Sequence, residues 1–138
     1  MSYLLFEHVT KTYGAVEVVA PFDLEVPEGE LVAFLGPSGC GKTTLMRMVG
    51  GLEPPSSGRI LLRGETLKRP DRRRGMVFQS YSAFPWLTVA QNVAYGMRYR
   101  RDLSAAEKEE QVQHFLALVG LTDFANEWPN RISGGMRQ

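Results

Sequence analysis

A glycine-rich segment early in the chain restricts the possible folds more than any other feature. Residues Gly36–Thr44 read GPSGCGKTT and fit the pattern G-x-x-x-x-G-K-[ST], which is typical of a loop that binds nucleotide phosphates. An apolar run of strand length, Leu31–Leu35, precedes the loop, and Lys42–Val49 is predicted to form a helix. Strand, loop and helix follow in the order that the pattern requires, so we predict an α/β core that binds a nucleotide.

Each residue type in the loop suits the binding of phosphate. Glycines without a Cβ let the backbone turn tightly and bring its N–H groups to phosphate oxygens, and the following helix adds unpaired N–H groups and the positive end of its dipole. Lys42 can reach the β- and γ-phosphates, Thr43 can offer its hydroxyl to Mg²⁺, and Thr44 would lie near the α-phosphate. The predicted nucleotide contacts in the loop are Gly36, Pro37, Ser38, Gly39, Cys40, Gly41, Lys42, Thr43 and Thr44.

Composition narrows the possible settings of this site. A chain of 138 residues with 43% hydrophobic content can bury one sizeable core and is most simply one domain. Its net charge of +1 gives no sign of a nucleic-acid-binding surface. Cys40 is the only cysteine, so no internal disulfide is possible and a reducing compartment is expected. No apolar run approaches the ~20 residues of a membrane span, so we expect a cytoplasmic protein whose membrane role would depend on a partner.

The remaining sequence predicts strands first and helices second. The other predicted strands are Tyr3–Val9, Val16–Val19, Phe22–Val26, Arg59–Arg63 and Gly75–Gln79. Capping boxes at Thr88 with Gln91 and at Ser104 with Glu107 begin two predicted helices. The second predicted helix carries Val112, Phe115, Leu116 and Val119 at helical spacing and ends at Gly120, before a short helix around 122–126. We therefore predict a β subdomain and phosphate-loop core over 1–80 and a helical subdomain over 81–138.

Two further motifs indicate the family. Gln79 ends a short apolar segment, and Ile132–Gln138 reads ISGGMRQ. Together with Gly36–Thr44, these motifs resemble the ATP-binding cassette (ABC) ATPases, and the resemblance covers essentially the whole chain. It implies a P-loop NTPase core with an N-terminal antiparallel β subdomain and a helical subdomain, with ATP and Mg²⁺ as ligands.

The resemblance also implies roles for single residues. Tyr13 takes the place of an aromatic residue that stacks on adenine, although an ordinary core or surface aromatic is the alternative. Gln79 takes the place of a glutamine whose amide meets Mg²⁺ or the attacking water, the alternative being a polar strand end. The signature residues Ser133, Gly134 and Gly135 would meet the γ-phosphate across a head-to-tail dimer, unless they form only a flexible turn. Lys42 and Gln79 are the predicted catalytic residues, and Thr43 and Gln79 are the predicted metal ligands.

Shorter segments resemble the importer ATPases for nitrate, sulfonate and taurine. These segments are Met136–Gln138, Asp71–Gly75 and Phe84–Thr88. The resemblance implies a second ATPase subunit, a transmembrane permease subunit and, indirectly, a solute-binding protein as partners, with no nucleic acid, at the cytoplasmic face of the inner membrane. Two alternatives stay open: a non-catalytic nucleotide-binding fragment, and a soluble ABC ATPase that acts on nucleic acid or ribosomes.

The residues that would complete hydrolysis are not in the sequence. The resemblance implies an apolar strand ending in Asp-Glu (the Walker B strand) after the signature and a histidine beyond it. The sequence has no such strand, and His8 and His114 stand in other contexts. We therefore expect an N-terminal portion of a longer subunit, truncated before the Walker B strand. By itself it should have poor solubility, weak nucleotide affinity and no turnover.

Three features allow two interpretations each. The basic run Lys68–Arg74 is expected to be a solvated loop rather than a nucleic-acid patch. For the aromatic residues Tyr81, Phe84 and Trp86, the family resemblance implies contact with a membrane subunit, and plain packing is an equally good interpretation. Cys40 is expected to be a small space-filling residue, with a reactive thiol at the helix N-terminus as the alternative.

Overall fold

The chain forms two compact units. The computed structural model describes residues 2–138, and its units extend up to Met76 and over Val77–Gln138. All of the described strands belong to the first unit, and the second contains only helices and turns. The predicted α/β fold, with an antiparallel β subdomain before a helical one, is confirmed. Within residues 2–138, no helix combines the length and apolar character needed to cross a membrane.

A four-stranded antiparallel sheet with strand order β2–β1–β3–β4 organises the first unit. Its strands are β1 (Ser2–Tyr13), β2 (Val16–Pro27), β3 (Ser57–Leu62) and β4 (Glu65–Thr66). The two strands predicted between Val16 and Val26 are one continuous edge strand. Pro21 can lie within it because an edge strand does not need every N–H and because the register with β1 shifts between Val9 and Lys11.

Helix α1 (Lys42–Val49) has the predicted bounds and ends at Gly50. Leu45 and Met48 from this helix are buried with sheet residues in one hydrophobic cluster. The cluster consists of Phe6, Val9, Val19, Leu45, Met48 and Ile60. Each large side chain buried in this way contributes about 1.5–3 kcal/mol. This packing fixes the N-terminus of α1, and therefore the glycine loop, relative to the sheet.

Two predicted strands are not strands in the structure. Neither Leu31–Leu35 nor Gly75–Gln79 has regular secondary structure, and Leu31 and Leu35 are 97% and 92% exposed. A strand is stabilised by hydrogen bonds to a neighbour, and none of the sheet pairings among residues 2–138 includes these segments. Apolar sequence alone was therefore a poor guide to these two segments.

The second unit packs short helices around a smaller core. Its elements are α2 (Val89–Tyr95), α3 (Ala105–Leu118), α4 (Gly134–Arg137) and 3₁₀ turns at Thr122–Phe124 and Pro129–Arg131. Both predicted capping boxes are present, and the short helix predicted near residue 122 is a single 3₁₀ turn. The buried residues of this core are Val89, Val112, Leu116 and Ile132.

The predicted end of α3 is confirmed, and only two of its four apolar residues at helical spacing, Val112 and Leu116, are buried. Gly120 has a left-handed backbone (φ 69°), and the Leu121 N–H donates to the Leu116 carbonyl at 2.8 Å, as in a glycine-terminated helix. Phe115 and Val119 are 45% and 61% exposed. Phe115 lies beside the stripe formed by Val112 and Leu116, and Val119 follows the last helical residue, so the helical period no longer directs its side chain inward.

Candidate nucleotide-binding site

The glycine loop has a backbone that other residues would strain. Gly39 and Gly41 have φ values of 85° and 88°, in the left-handed region that favours glycine. A Cβ on Gly41 would lie 2.7 Å from the Val18 carbonyl oxygen and 3.1 Å from Val19 Cγ2. The loop therefore passes so close to β2 that only glycine fits at position 41.

Helix α1 begins with unpaired N–H groups and a nearby cation. Gly41 is its N-cap, and no side chain within residues 2–138 caps this end. Lys42 Nζ donates to the carbonyl oxygens of Gly36 (2.8 Å) and Pro37 (2.6 Å) and lies 3.3 Å from Cys40 Sγ. Free N–H groups and an ammonium group held on the same loop form a site suited to an anion such as phosphate.

The two threonines that follow Lys42 lie in the first turn of α1. Thr43 is exposed and Thr44 is half-buried. The structure describes no cluster of three acidic, histidine or cysteine side chains that could hold a metal between residues 2 and 138. The Thr43 hydroxyl is an oxygen ligand of the kind that Mg²⁺ accepts beside nucleotide phosphates.

Tyr13 lies at the end of β1 with its ring 46% exposed and its hydroxyl engaged. The hydroxyl donates to Glu53 Oε1, and Lys11 Nζ lies 5.1 Å from the ring centroid. The hydrogen bond to Glu53 raises the pKa of Tyr13, and the same bond, followed by Lys11, lowers the pKa of Glu53. The Thr44 hydroxyl and the charge of Arg47, both on α1, act on the Tyr13 pKa in the opposite direction.

Sequence reasoning missed Glu53 and Lys11. Lys11 precedes Tyr13 by two positions in β1, and alternate residues of a strand share a face, so this neighbour could have been found. Glu53 lies 40 residues from Tyr13 in a loop without a motif, so nothing in its own sequence context indicates the contact.

In the second unit, the segment around Gln79 contacts the signature segment. Gln79 itself is exposed at a bend. Gln138 Nε2 donates to the Phe78 carbonyl at 3.0 Å, and the Arg137 guanidinium lies 4.5 Å from the centre of the Tyr81 ring. A Cβ on Gly134 would come within 2.4 Å of the Tyr81 hydroxyl, so the Tyr81 side chain would have to shift to admit a larger residue there. Two motifs that are far apart in sequence are therefore neighbours in this unit.

Ser133 is the N-cap of α4. The Met136 N–H donates to Ser133 Oγ at 3.3 Å, and Ser133 and Gly135 are exposed. The serine hydroxyl accepts this bond and keeps its own proton free to donate to another group. Ile132 just before it is buried in the core of the unit, so the start of the signature segment is anchored.

The structure separates the two interpretations of the aromatic cluster by residue. Phe84 packs on Tyr95, with ring centroids 4.3 Å apart, whereas Tyr81 and Trp86 are 52% and 67% exposed. Packing therefore accounts for Phe84, and the two exposed rings remain available for a partner.

The basic run is a loop whose charges are partly neutralised within it. Arg73 and Arg74 both pair with Asp71, and Arg73 also pairs with Glu65. Arg74 is largely buried and donates to the Val49 carbonyl at the end of α1. The run is not a free basic surface. Cys40, the remaining ambiguous feature, is exposed.

Comparison with known proteins gives the same family from sequence and from structure. The family model described as "ABC transporter" matches residues 19–138. Similar curated relatives include an ATP-binding protein of Brucella abortus (strain 2308), 44% identical over 96% of this chain. Two others are the sulfate/thiosulfate import ATP-binding protein CysA of Gloeobacter violaceus and the Fe(3+) ions import ATP-binding protein FbpC of Agrobacterium fabrum, each 45% identical over 98% of the chain.

The chain spans only part of these relatives: 51% of the Brucella protein, 40% of CysA and 39% of FbpC. Among solved structures, a post-hydrolysis dimer of the ATP-binding cassette MJ0796 bound to ADP and Pi matches with a TM-score of 0.84 and 30% identity. That match covers 97% of this chain and 65% of the cassette. A second dimeric structure of MJ0796, described as a bacterial ABC transporter cassette, matches with the same TM-score.

Proposed function

Since the chain belongs to the ABC transporter family, we propose that it is the ATP-binding part of an import ATPase subunit. The observation that carries this proposal is the glycine loop at the open N-terminus of α1, with the Lys42 ammonium group held on it. The close approach of Gly41 to β2 shows that this shape is built into the fold. The names of CysA and FbpC, which describe import ATP-binding proteins, support the choice of transport.

The chain's own residues would bind and orient the triphosphate. The N–H groups of the loop and of the first turn of α1 would donate to its oxygens, and Lys42 would exchange its loop carbonyls for the β- and γ-phosphates. Thr43 and Gln79 would hold Mg²⁺ through hydroxyl and amide oxygens. Mg²⁺ supplies the positive charge that neutralises the β- and γ-phosphates during transfer. Gln79 would also orient the attacking water, since an amide can both donate and accept.

The partners follow from the same proposal. Two subunits would close head to tail around ATP, with Ser133, Gly134 and Gly135 of each one donating to the γ-phosphate bound by the other. A permease subunit at the cytoplasmic face of the inner membrane would take up the motion, and a solute-binding protein would act indirectly. The exposed rings of Tyr81 and Trp86 are suited to the permease contact.

The solute is proposed at the level of a small molecule. Met136–Gln138, Asp71–Gly75 and Phe84–Thr88 favour nitrate, sulfonate or taurine, whereas the names of similar proteins refer to sulfate/thiosulfate, Fe(3+) and alpha-glucosides. This choice is tested by measuring the uptake of each labelled solute in cells that carry the intact gene and in cells that lack it. If the cells that lack the gene lose only sulfate uptake, sulfate replaces nitrate, sulfonate and taurine as the proposed solute.

Nucleotide binding is tested by titrating the full natural chain with a non-hydrolysable ATP analogue and Mg²⁺. Lys42→Ala is expected to weaken binding at least about a hundredfold, because the ammonium group would contact two phosphates. Lys68→Ala, at an exposed lysine of the basic run, is the matched control and should have no effect. Equal binding by Lys42→Ala and the unchanged protein would refute the proposed site.

Turnover is a separate claim. Residues 1–138 contain no apolar strand ending in Asp-Glu, so we expect the isolated segment to bind nucleotide without hydrolysing it. Steady phosphate release from the isolated segment that Lys42→Ala abolishes would refute this expectation.

A further inference from the structure

A cluster of charged and aromatic side chains beside the loop is not explained by phosphate binding. Lys11 and Tyr13 lie near the end of β1, and Glu53 follows α1. The Tyr13 hydroxyl donates to Glu53 Oε1, and Lys11 Nζ lies 3.2 Å from the same oxygen. One carboxylate oxygen therefore connects an aromatic ring to a cation.

Lys11 and Glu53 of this cluster are shielded from water, whereas the Tyr13 ring is not. The side chains of Lys11 and Glu53 are 10% and 18% exposed, and Lys11 Nζ also donates to the Pro54 carbonyl at 2.7 Å. A shielded ion pair with an additional hydrogen bond holds its geometry more firmly than an exposed one. Tyr13 is 46% exposed. A ring that served the core alone would be buried, so this arrangement presents the ring to solvent.

We infer that Glu53 and Lys11 are positioning residues, which hold the Tyr13 ring ready to stack on the base of the bound nucleotide. Glu53 fixes the direction of the ring through the hydroxyl at its end, and Lys11 lies over the ring at 5.1 Å. A ring that is already fixed loses less freedom when a flat ligand binds. The pair therefore raises affinity for the base without contacting it. This inference rests on the nucleotide-binding function proposed above.

The position of the ring agrees with this role. The Thr44 hydroxyl and the charge of Arg47, both on α1, oppose the rise in the pKa of the Tyr13 phenol. The phosphate loop and Tyr13 both belong to the first unit, which extends up to Met76. No phosphate contact is needed from Glu53, whose negative charge would oppose one.

The test compares two ligands that differ in having a base. In the full natural chain, a non-hydrolysable ATP analogue and inorganic tripolyphosphate, each with Mg²⁺, are titrated calorimetrically. Tyr13→Phe and Glu53→Ala are each expected to weaken binding of the ATP analogue about three- to tenfold. This is the range expected when one side chain that was fixed before binding has to be ordered on binding. Tripolyphosphate affinity should stay within about twofold, which also shows that the loop remains folded. The double variant should bind the ATP analogue no more weakly than the weaker-binding single variant does, because both substitutions remove the same contact.

Two further variants sharpen the result. Glu53→Gln keeps an oxygen that accepts from the Tyr13 hydroxyl and should restore most of the affinity lost in Glu53→Ala. Glu28→Ala is the matched control, because Glu28 pairs with Arg63, whose guanidinium lies 5.0 Å from the Tyr3 ring in a similar arrangement at the other end of β1. This variant should change neither affinity.

The outcomes separate the inference from the function on which it rests. If Tyr13→Phe and Glu53→Ala bind the ATP analogue as tightly as the unchanged protein does, the positioning role is refuted and the binding site stands. A parallel loss of both ligands would also refute it, since that would show a structural role in the loop. If the unchanged protein binds neither ligand, the proposed function fails and the inference fails with it.

Discussion

Replacing glycines of the loop one at a time tests how closely the loop is built against the sheet. Gly39→Ala places a Cβ on a left-handed backbone with nothing within 4 Å, so its cost is conformational strain of about 1–2 kcal/mol. Gly41→Ala has the same strain and adds a contact 2.7 Å from the Val18 carbonyl. Overpacking of this kind costs about 1–3 kcal/mol, so we expect a total of about 2–5 kcal/mol. Gly96 has φ −63° and open space around it, and Gly96→Ala should be neutral or stabilising by up to about 1 kcal/mol.

The placement of the tryptophans allows this series to be measured unit by unit. Both tryptophans, Trp86 and Trp128, belong to the second unit, so their fluorescence follows that unit during urea unfolding. Hydrogen exchange of the strand backbone N–H groups at each urea concentration follows the first unit. Gly41→Ala should shift the strand transition more than Gly39→Ala does and leave the tryptophan transition in place. Gly96→Ala should affect only the tryptophan transition.

Two results would contradict the reasoning. Equal shifts for Gly39→Ala and Gly41→Ala would show that the Val18 contact does not constrain the loop. Unimpaired binding of the ATP analogue by Gly41→Ala would show that the loop can bind phosphate without this backbone.

Further perturbations test other contacts. Ser104→Ala removes the N-cap of α3 and should cost about 1 kcal/mol of unfolding free energy in urea; an unchanged midpoint would contradict the cap. Hydrogen bonds from Arg73 lower the pKa of Asp71 below its usual 3.8 in the folded protein. The stabilisation that ionised Asp71 gives the fold is therefore complete above pH 3.8, and it is lost as the pH falls through the lowered pKa of the folded state. Asp71→Asn should therefore destabilise the protein near neutral pH and have a progressively smaller effect as the pH is lowered below 3.8, which chemical denaturation across this pH range can measure. A maleimide should label the exposed Cys40 thiol, and MgATP should slow that labelling; a rate insensitive to nucleotide would argue against the placement of Cys40 at the phosphates.

The features that sequence predicted well have local causes. The start of α3 follows from Ser104 and Glu107, which satisfy each other's backbone N–H groups, and its end follows from the left-handed Gly120. The loop was predictable for the same reason, since its glycines and Lys42 act on backbone within a few residues. A short motif contains the whole cause in such cases.

The features that sequence missed depend on distant partners. Leu31–Leu35 is apolar enough for a strand, but its conformation depends on a neighbour that pairs with it, and no described segment does. The contact of Tyr13 with Glu53 joins positions 40 residues apart. Composition indicated one core, whereas the structure has two separate clusters of buried residues, because each unit buries its own side chains. The spacing of apolar residues in the sequence predicts which face of a helix or strand is apolar, but it does not predict which part of the chain packs against that face.

The two separate clusters bear on how the chain emerges from the ribosome. Every buried member of the first cluster, from Phe6 to Ile60, precedes the end of the first unit at Met76. The core of this unit can therefore form before the helices of the second unit are made. At about 10 residues per second, synthesis of Val77–Gln138 alone takes about 6 seconds. During that interval the sheet and α1 can already be folded while Leu31 and Leu35 stay exposed. Chaperones that recognise extended apolar segments would find their target there, on a nascent chain whose glycine loop is already formed.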